Sequence, residues 1–175
     1  TASIAESYAK VLVANGAALR DEDVACPLWN ADTDEPRPAL PDTPCELLTI
    51  EQTGKSTAEK LALVRAELQK AGATALPVTQ LDCVGWLLNL RARDLPCTPL
   101  AVAYAFVTKT ACTLFIAGGR LSAADADTLA QNGVAVRGYT ELLGYVAALS
   151  TAEAVLVPTG ATNFALYNAI KANAN

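Results

Sequence analysis

The apolar positions of this chain switch between a helical period and strand-like runs, and the switches mark out its elements. Leu61, Val64, Leu68 and Ala71 recur every third or fourth residue, so residues 56–72 predict an amphipathic helix. Ser56 and Glu59 have capping-box spacing at its start, and Gly72 supplies the left-handed residue beyond its end. The short apolar run at 75–78 predicts a buried strand. After it, Leu81, Val84, Leu87 and Leu88, with Trp86 alongside, predict a short helix. Thr79 and Asp82 have capping-box spacing at the start of that helix. It gives way to Asn89, Arg91, Arg93 and Asp94, which strand and helix would present on a rigid base.

Further on, the β-rich runs at 104–108 and 112–116 are separated by Lys109-Thr110-Ala111 and predict an antiparallel hairpin. Gly118-Gly119 breaks it. Ser122 and Asp125 open a helix that Asn132-Gly133 closes after Gln131. A strand at 134–137 follows, then a helix at 140–149 with Leu142, Leu143, Val146 and Leu149 inward. A last strand at 155–157 and a last helix at 162–170 complete the pattern. Upstream, Ile4, Tyr8, Val11 and Leu12 share one face of a helix at 3–16, and residues 46–50 predict a first strand. Pro27, Pro36, Pro38, Pro41 and Pro44 exclude regular structure from most of 17–44, where Trp29 reads as the anchor of a covering strap. Strands alternating with helices, plus one hairpin, predict an α/β fold: a mixed β-sheet flanked by helices.

Composition narrows the picture. A chain of 175 residues suits one domain, and 52% hydrophobic residues argue for a folded one. No apolar run approaches the roughly 20 residues of a membrane span. The first ten residues lack the basic start and apolar core of a signal peptide and read as the interior of a longer protein. Net charge is −5 and the 13 basic residues are scattered, which argues against nucleic acid and anionic membrane as partners. Asp21, Glu22, Asp23, Asp32, Asp34, Glu35, Asp42 and Glu46 read as a solvated acidic linker. Five cysteines without a C-x-x-C pair argue against a disulfide framework and a structural zinc site, and point to a reducing compartment, the cytoplasm. Cys83 and Cys112 fall in apolar patterns and read as small core residues.

The chain has no histidine, which removes Ser-His-Asp, Cys-His and imidazole-metal chemistry. Carboxylates alone could hold a hard cation, with Asp82, Asp94, Asp125 and Asp127 as the candidates, but Asp125 and Asp127 read as helix-capping charges. Gly54-Lys55-Ser56 resembles the end of a phosphate-binding loop, yet Thr49 stands where its first glycine belongs, so the segment reads as a helix entry turn. Gly118-Gly119 fits no dinucleotide fingerprint and reads as a turn. Arg91, Arg93 and Asp94 admit two readings: a clamp for a carboxylate or peptide terminus, or an internal Arg–Asp salt bridge that shapes the loop. No catalytic residue and no metal-ligand set is assigned.

The stretch LDCVGWLLNLRARD at 81–94, followed by Pro99 and AYAFV, resembles the LD-x-x-x-WL-x-NLRG-x-D segment, with its following Asn-Pro, of Xaa-Pro aminopeptidases. CPLW at 26–29, the proline-rich run, Gln52-Thr53-Gly54-Lys55 and the helix at 56–71 come in the family's order, so the resemblance covers residues 24–170. Ala92 replaces the usual glycine, Arg93 is bulky, and Thr98 replaces the usual asparagine. The resemblance implies a creatinase/prolidase N-terminal domain with a ribonuclease H-like layer architecture. This would be the second, non-catalytic domain of the long eukaryotic form of aminopeptidase P, peptidase family M24. It divides the chain into a helix and linker from a preceding domain (1–23), an acidic proline-rich strap (24–44), the domain proper (45–171) and the start of a linker (172–175).

The family's chemistry lies in a following pita-bread domain. There two divalent ions, usually manganese, are held by Asp, His and Glu side chains, and water cleaves the bond before proline. The resemblance therefore implies that this chain holds no cofactor and is inactive alone. Asn89, Arg91 and Asp94 would be cleft-wall or interface residues. The partners implied are the pita-bread domain, proline-containing peptides through the parent protein, and a second copy in a homodimer. The alternatives are a free-standing α/β binding or scaffold module and, behind it, a small enzyme using carboxylate–metal or cysteine chemistry.

Overall fold

A computed structural model describes residues 1–18 and 39–174. The elements, in chain order, are α1 (Ala2–Ala14), β1 (Glu46–Leu47), α2 (Ile50–Thr53), α3 (Thr57–Lys70), β2 (Ala75–Val78), α4 (Leu81–Leu88), β3 (Leu90–Arg91), β4 (Ala103–Thr108) and β5 (Cys112–Ile116). Then come α5 (Ala123–Gln131), β6 (Val134–Gly138), a 3₁₀ turn (Tyr139–Glu141), α6 (Leu142–Ala147) and α7 (Phe164–Asn173). Of the acidic strap, with Cys26 and Trp29, only residues 39–44 are described.

The main sheet has the order β2-β4-β5-β6. β2 and β4 are antiparallel, β4 and β5 form the expected hairpin, and β6 runs parallel to β5 after the α5 crossover. The sheet is mixed because a three-residue link can only fold back, whereas a helix returns the chain in the same direction. Both sheet faces are buried. Ala105, Val107, Leu114 and Ile116 pack on one side with Leu61, Leu68, Val84, Leu87 and Leu129. Phe106 and Phe115 point to the other, against Leu142, Val146, Leu166 and Ile170. Burial on two faces is why β4 and β5 read as continuous apolar runs. The result is three layers: α3, α4 and α5, the sheet, then α6 and α7.

Local signals held well. Ser56 Oγ accepts from Glu59 N while the Glu59 carboxylate accepts from Ser56 N, and Gly72 adopts φ +70°. Gly54 (φ +73°) turns the chain from α2 into α3, the helix entry expected of Gly54-Lys55-Ser56. Four expectations change. The 46–50 strand stops at Leu47, because Thr49 and Gln52 cap α2. The 155–157 strand is a single bridge from Val155 to Ala75, with Pro158 ending it. Ala71 and Leu143 are exposed: Lys60 and Thr57 complete the inward face of α3, and Leu142 with Val146 suffices for short α6. In α1 the stripe of Ile4, Tyr8 and Val11 faces solvent, at 54%, 63% and 61% exposure. That helix instead seats Ala2 against the loop before α7 and joins Glu6 to Tyr167.

Candidate functional site

The candidate loop begins at α4. Its inward residues are Val84, Leu87 and Leu88, while Trp86 is 49% exposed. Cys83, expected in the core, is exposed: it lies one position off that stripe. Cys112, expected in the core, is buried, and the thiol is pushed up to about 12 by burial. The expected Thr79–Asp82 capping box does not form. Gln80 is the N-cap, Thr79 Oγ1 donates to Ala161 O at 2.9 Å, and the Asp82 carboxylate accepts from Cys83 N. The threonine hydroxyl is turned toward Ala161 O, where it donates, and its oxygen does not accept from the local Asp82 N–H.

Asn89 closes α4 in the left-handed conformation, φ 56°, which asparagine tolerates better than other residues with a Cβ. Both ends of its amide are bonded. Nδ2 donates to Lys55 O at 3.0 Å, and Oδ1 accepts from Lys60 Nζ. Lys60, itself buried, also donates to Trp86 O at 2.8 Å and sits 5.0 Å from the indole centroid. Burial, and then the charge of Arg91, hold its ammonium below the usual lysine pKa. Arg91 Nη1 donates to Gly85 O and Leu90 O, both at 2.8 Å. Gly85 makes room for this, since a Cβ there would lie 3.1 Å from Leu90 O and 3.2 Å from the guanidinium. β1 pairs with β3 in antiparallel register, which sets Glu46 opposite Arg91.

Ala92 is buried and needs no left-handed backbone, and Arg93 is exposed. Asp94 turns inward. Its side chain and that of Arg120 are 0% and 1% exposed, and Oδ1 accepts from Arg120 Nη2 at 2.5 Å. Thr43 Oγ1 also donates to Oδ1, at 2.5 Å, and Val102 N donates to Oδ2 at 2.6 Å. Arg120 Nε donates to Thr43 O at 2.9 Å. Burial would raise the Asp94 pKa, but the hydrogen bonds from Thr43, Val102 and Arg120, with the Arg120 charge, outweigh it and hold the carboxyl below its ordinary value. The internal Arg–Asp bridge therefore exists, with Arg120 as the partner and neither Arg91 nor Arg93.

The structure thus brings Asn89 and Arg91 together at one helix end and places Asp94 in a separate buried network. Sequence reasoning missed Lys60, Thr43 and Arg120. The one visible signal was Lys60 on the inward row of α3, next to Leu61. Among the described residues no group of three or more His, Cys, Asp or Glu side chains could hold a metal ion, so no step here runs through one. No helix among them is long and apolar enough to cross a membrane.

These features define a class: a three-layer α/β domain whose polar loop is packed by cations and carbonyls. The chain matches the Creatinase/Prolidase N-terminal domain family over residues 36–175. It is 38% identical over 129 residues to the "Probable Xaa-Pro aminopeptidase P" of Neurospora crassa, a match covering 73% of this chain and 18% of that protein. With the protein of the same name from Chaetomium globosum it shares 37% over 139 residues, 78% of this chain and 22% of that one. It superposes over its whole length on the X-prolyl aminopeptidase of Caenorhabditis elegans, described as a cytosolic enzyme with a di-nuclear active site. The TM-score is 0.85 at 27% identity, and 29% of that chain is covered. The chain belongs to the creatinase/prolidase N-terminal domain family, in the form carried by Xaa-Pro aminopeptidases. It spans only about a fifth of the length of the curated relatives it matches, 18% and 22% for these two.

Proposed function

We propose that this chain is a non-catalytic domain of a metal-dependent Xaa-Pro aminopeptidase, forming part of the wall of the substrate cleft and packing against the catalytic domain. The observation that carries this reading is the full-length superposition on the nematode enzyme, together with the small share of each relative that the chain spans. In this reading residues 45–171 are the domain proper, and a catalytic pita-bread domain elsewhere in the parent holds the divalent ions. Arg91 is a wall residue; Asn89 and Asp94 shape the loop that carries it. Homodimerisation and a cytosolic location belong to the same proposal, the latter by analogy with the nematode enzyme. The exposed apolar stripe of α1 is the surface we assign to contact with the rest of the parent.

The test is manganese-dependent hydrolysis of an Xaa-Pro-Xaa peptide by this chain and by the longer protein that contains it. Turnover by the longer protein, with none by this chain, is the expected result. Turnover by neither would favour a binding module, and turnover by this chain would overturn the non-catalytic assignment.

A further inference from the structure

The dipeptide Asn-Gly occurs twice, at Asn15-Gly16 and Asn132-Gly133. Each closes a helix in the same way. Asn15 ends α1 and Asn132 ends α5, and the glycine that follows takes φ +76° in both. Each asparagine Nδ2 donates to the carbonyl four residues back, Val11 O at 2.8 Å and Thr128 O at 2.7 Å. Each glycine N–H donates to the carbonyl three residues back, Val13 O at 3.1 Å and Ala130 O at 2.9 Å. The two sites are a matched pair in dipeptide and in local backbone.

Their surroundings differ. Asn132 Oδ1 accepts from Ala58 N at 3.1 Å, so the end of α5 satisfies one of the free N–H groups in the first turn of α3. Val134, two residues on, is buried and begins β6 in the sheet. Opening the backbone at Asn132 therefore detaches α5 from α3 and strains the start of β6. Asn15 Oδ1 accepts no hydrogen bond among the described residues. Residues 13–18 are exposed throughout. α1 is seated near its other end, through Ala2 and Glu6, so its last turn frays at little cost.

That difference governs the chemistry open to an asparagine followed by glycine. The glycine amide nitrogen, on losing its proton, attacks the asparagine Cγ. A C–N bond forms, the Cγ–Nδ2 bond breaks, and ammonia leaves with a proton equivalent to the one the amide lost. Water then opens the resulting succinimide to aspartate or isoaspartate. Glycine has no Cβ to hinder the attack. At both sites the attacking nitrogen is hydrogen-bonded in the folded chain, so the reaction runs through local opening of the helix end. We propose that Asn15 is the site of spontaneous deamidation in this chain, and that Asn132 is protected by its tie to α3. The product at 15 places a negative charge at the carboxyl end of α1, where the helix dipole disfavours it, and loses the Nδ2 donor to Val11 O. The last turn of α1 then loosens as the protein ages.

The test is incubation of this chain at mildly alkaline pH, with peptide mapping by mass spectrometry at intervals, in buffer and in concentrated guanidinium chloride. In buffer, Asn132 is expected to deamidate about tenfold or more slowly than Asn15, since one net hydrogen bond shifts an opening equilibrium by up to about that factor and the start of β6 adds to it. In guanidinium chloride the two rates should converge, because the dipeptides are identical and only the fold separates them. Wild type should gain negative charge on isoelectric focusing as it ages, and Asn15→Gln should lose most of that gain. Equal rates at the two sites in buffer, or faster reaction at Asn132, would overturn the proposal. So would a difference that persists in guanidinium chloride, which would trace it to flanking sequence. Reaction at neither site in buffer, with both reacting in guanidinium chloride, would show that the end of α1 does not open and would equally sink the assignment.

Discussion

Asp94 shows how a side chain's role depends on partners far away in the chain. In the sequence it sits beside Arg93 and close to Arg91, and a local bridge is the natural expectation. In the structure its partners are Thr43, Val102 and Arg120. Removing one partner of a buried pair strands the other charge, so Asp94→Asn is expected to destabilise the fold by about 3–5 kcal/mol. Urea or thermal unfolding of the variant checks this. The pH dependence has a definite sign. The folded carboxyl titrates below the unfolded value of about 3.9, so its stabilisation is present above that value and is lost as pH falls through the lower, folded one. Wild type should therefore lose stability more steeply than Asp94→Asn when pH falls below about 4, and parallel curves would contradict this account.

At the scale of elements, the close approach of β3 to α4 is the decisive feature. Gly85 is the residue that permits it. A methyl group there would meet Leu90 O at 3.1 Å, the Arg91 guanidinium at 3.2 Å and Leu100 Cδ2 at 3.3 Å. Gly85→Ala gains helix propensity worth about 1 kcal/mol, but pushing a backbone carbonyl and a fixed guanidinium costs about 1–3 kcal/mol. A net loss of stability is expected, with the Arg91 Nε–H resonance displaced; a stabilised variant with an unmoved resonance would refute the packing argument. Other elements were legible because their signals are local. The Ser56–Glu59 capping box, the Gly72 terminus and the three-residue hairpin link each involve residues a few positions apart. Thr79 and Asp82 carry the same local signal, but Ala161 O captures the threonine hydroxyl.

At the scale of the whole molecule, α1 is the element whose pattern and surroundings disagree. Ile4, Tyr8 and Val11 form an apolar row, yet the row faces solvent and α1 is held through Ala2 and Glu6. The double substitution Tyr8→Ser and Val11→Ser should change the stability of this chain by no more than about 0.5 kcal/mol for each exposed site. In the longer protein the same pair should lower the unfolding temperature, because there the row is assigned to an interface. Equal, small effects in both would remove α1 from the domain contact.

Taken by itself, the sequence determined the alternation of strands and helices, the hairpin, most of the buried row on α3, α4 and α6 and the family resemblance at 81–94. These follow from period, caps and turn residues, which act over a few positions. Only the tertiary structure decided that the polar loop splits in two, with Arg91 at the α4 terminus and Asp94 inside the Arg120 network. It also decided that Cys83 and the α1 stripe face outward. The physical reason is that a polar group goes to whichever partner best compensates its desolvation, and that partner can lie tens of residues away, as Thr43 and Arg120 do from Asp94.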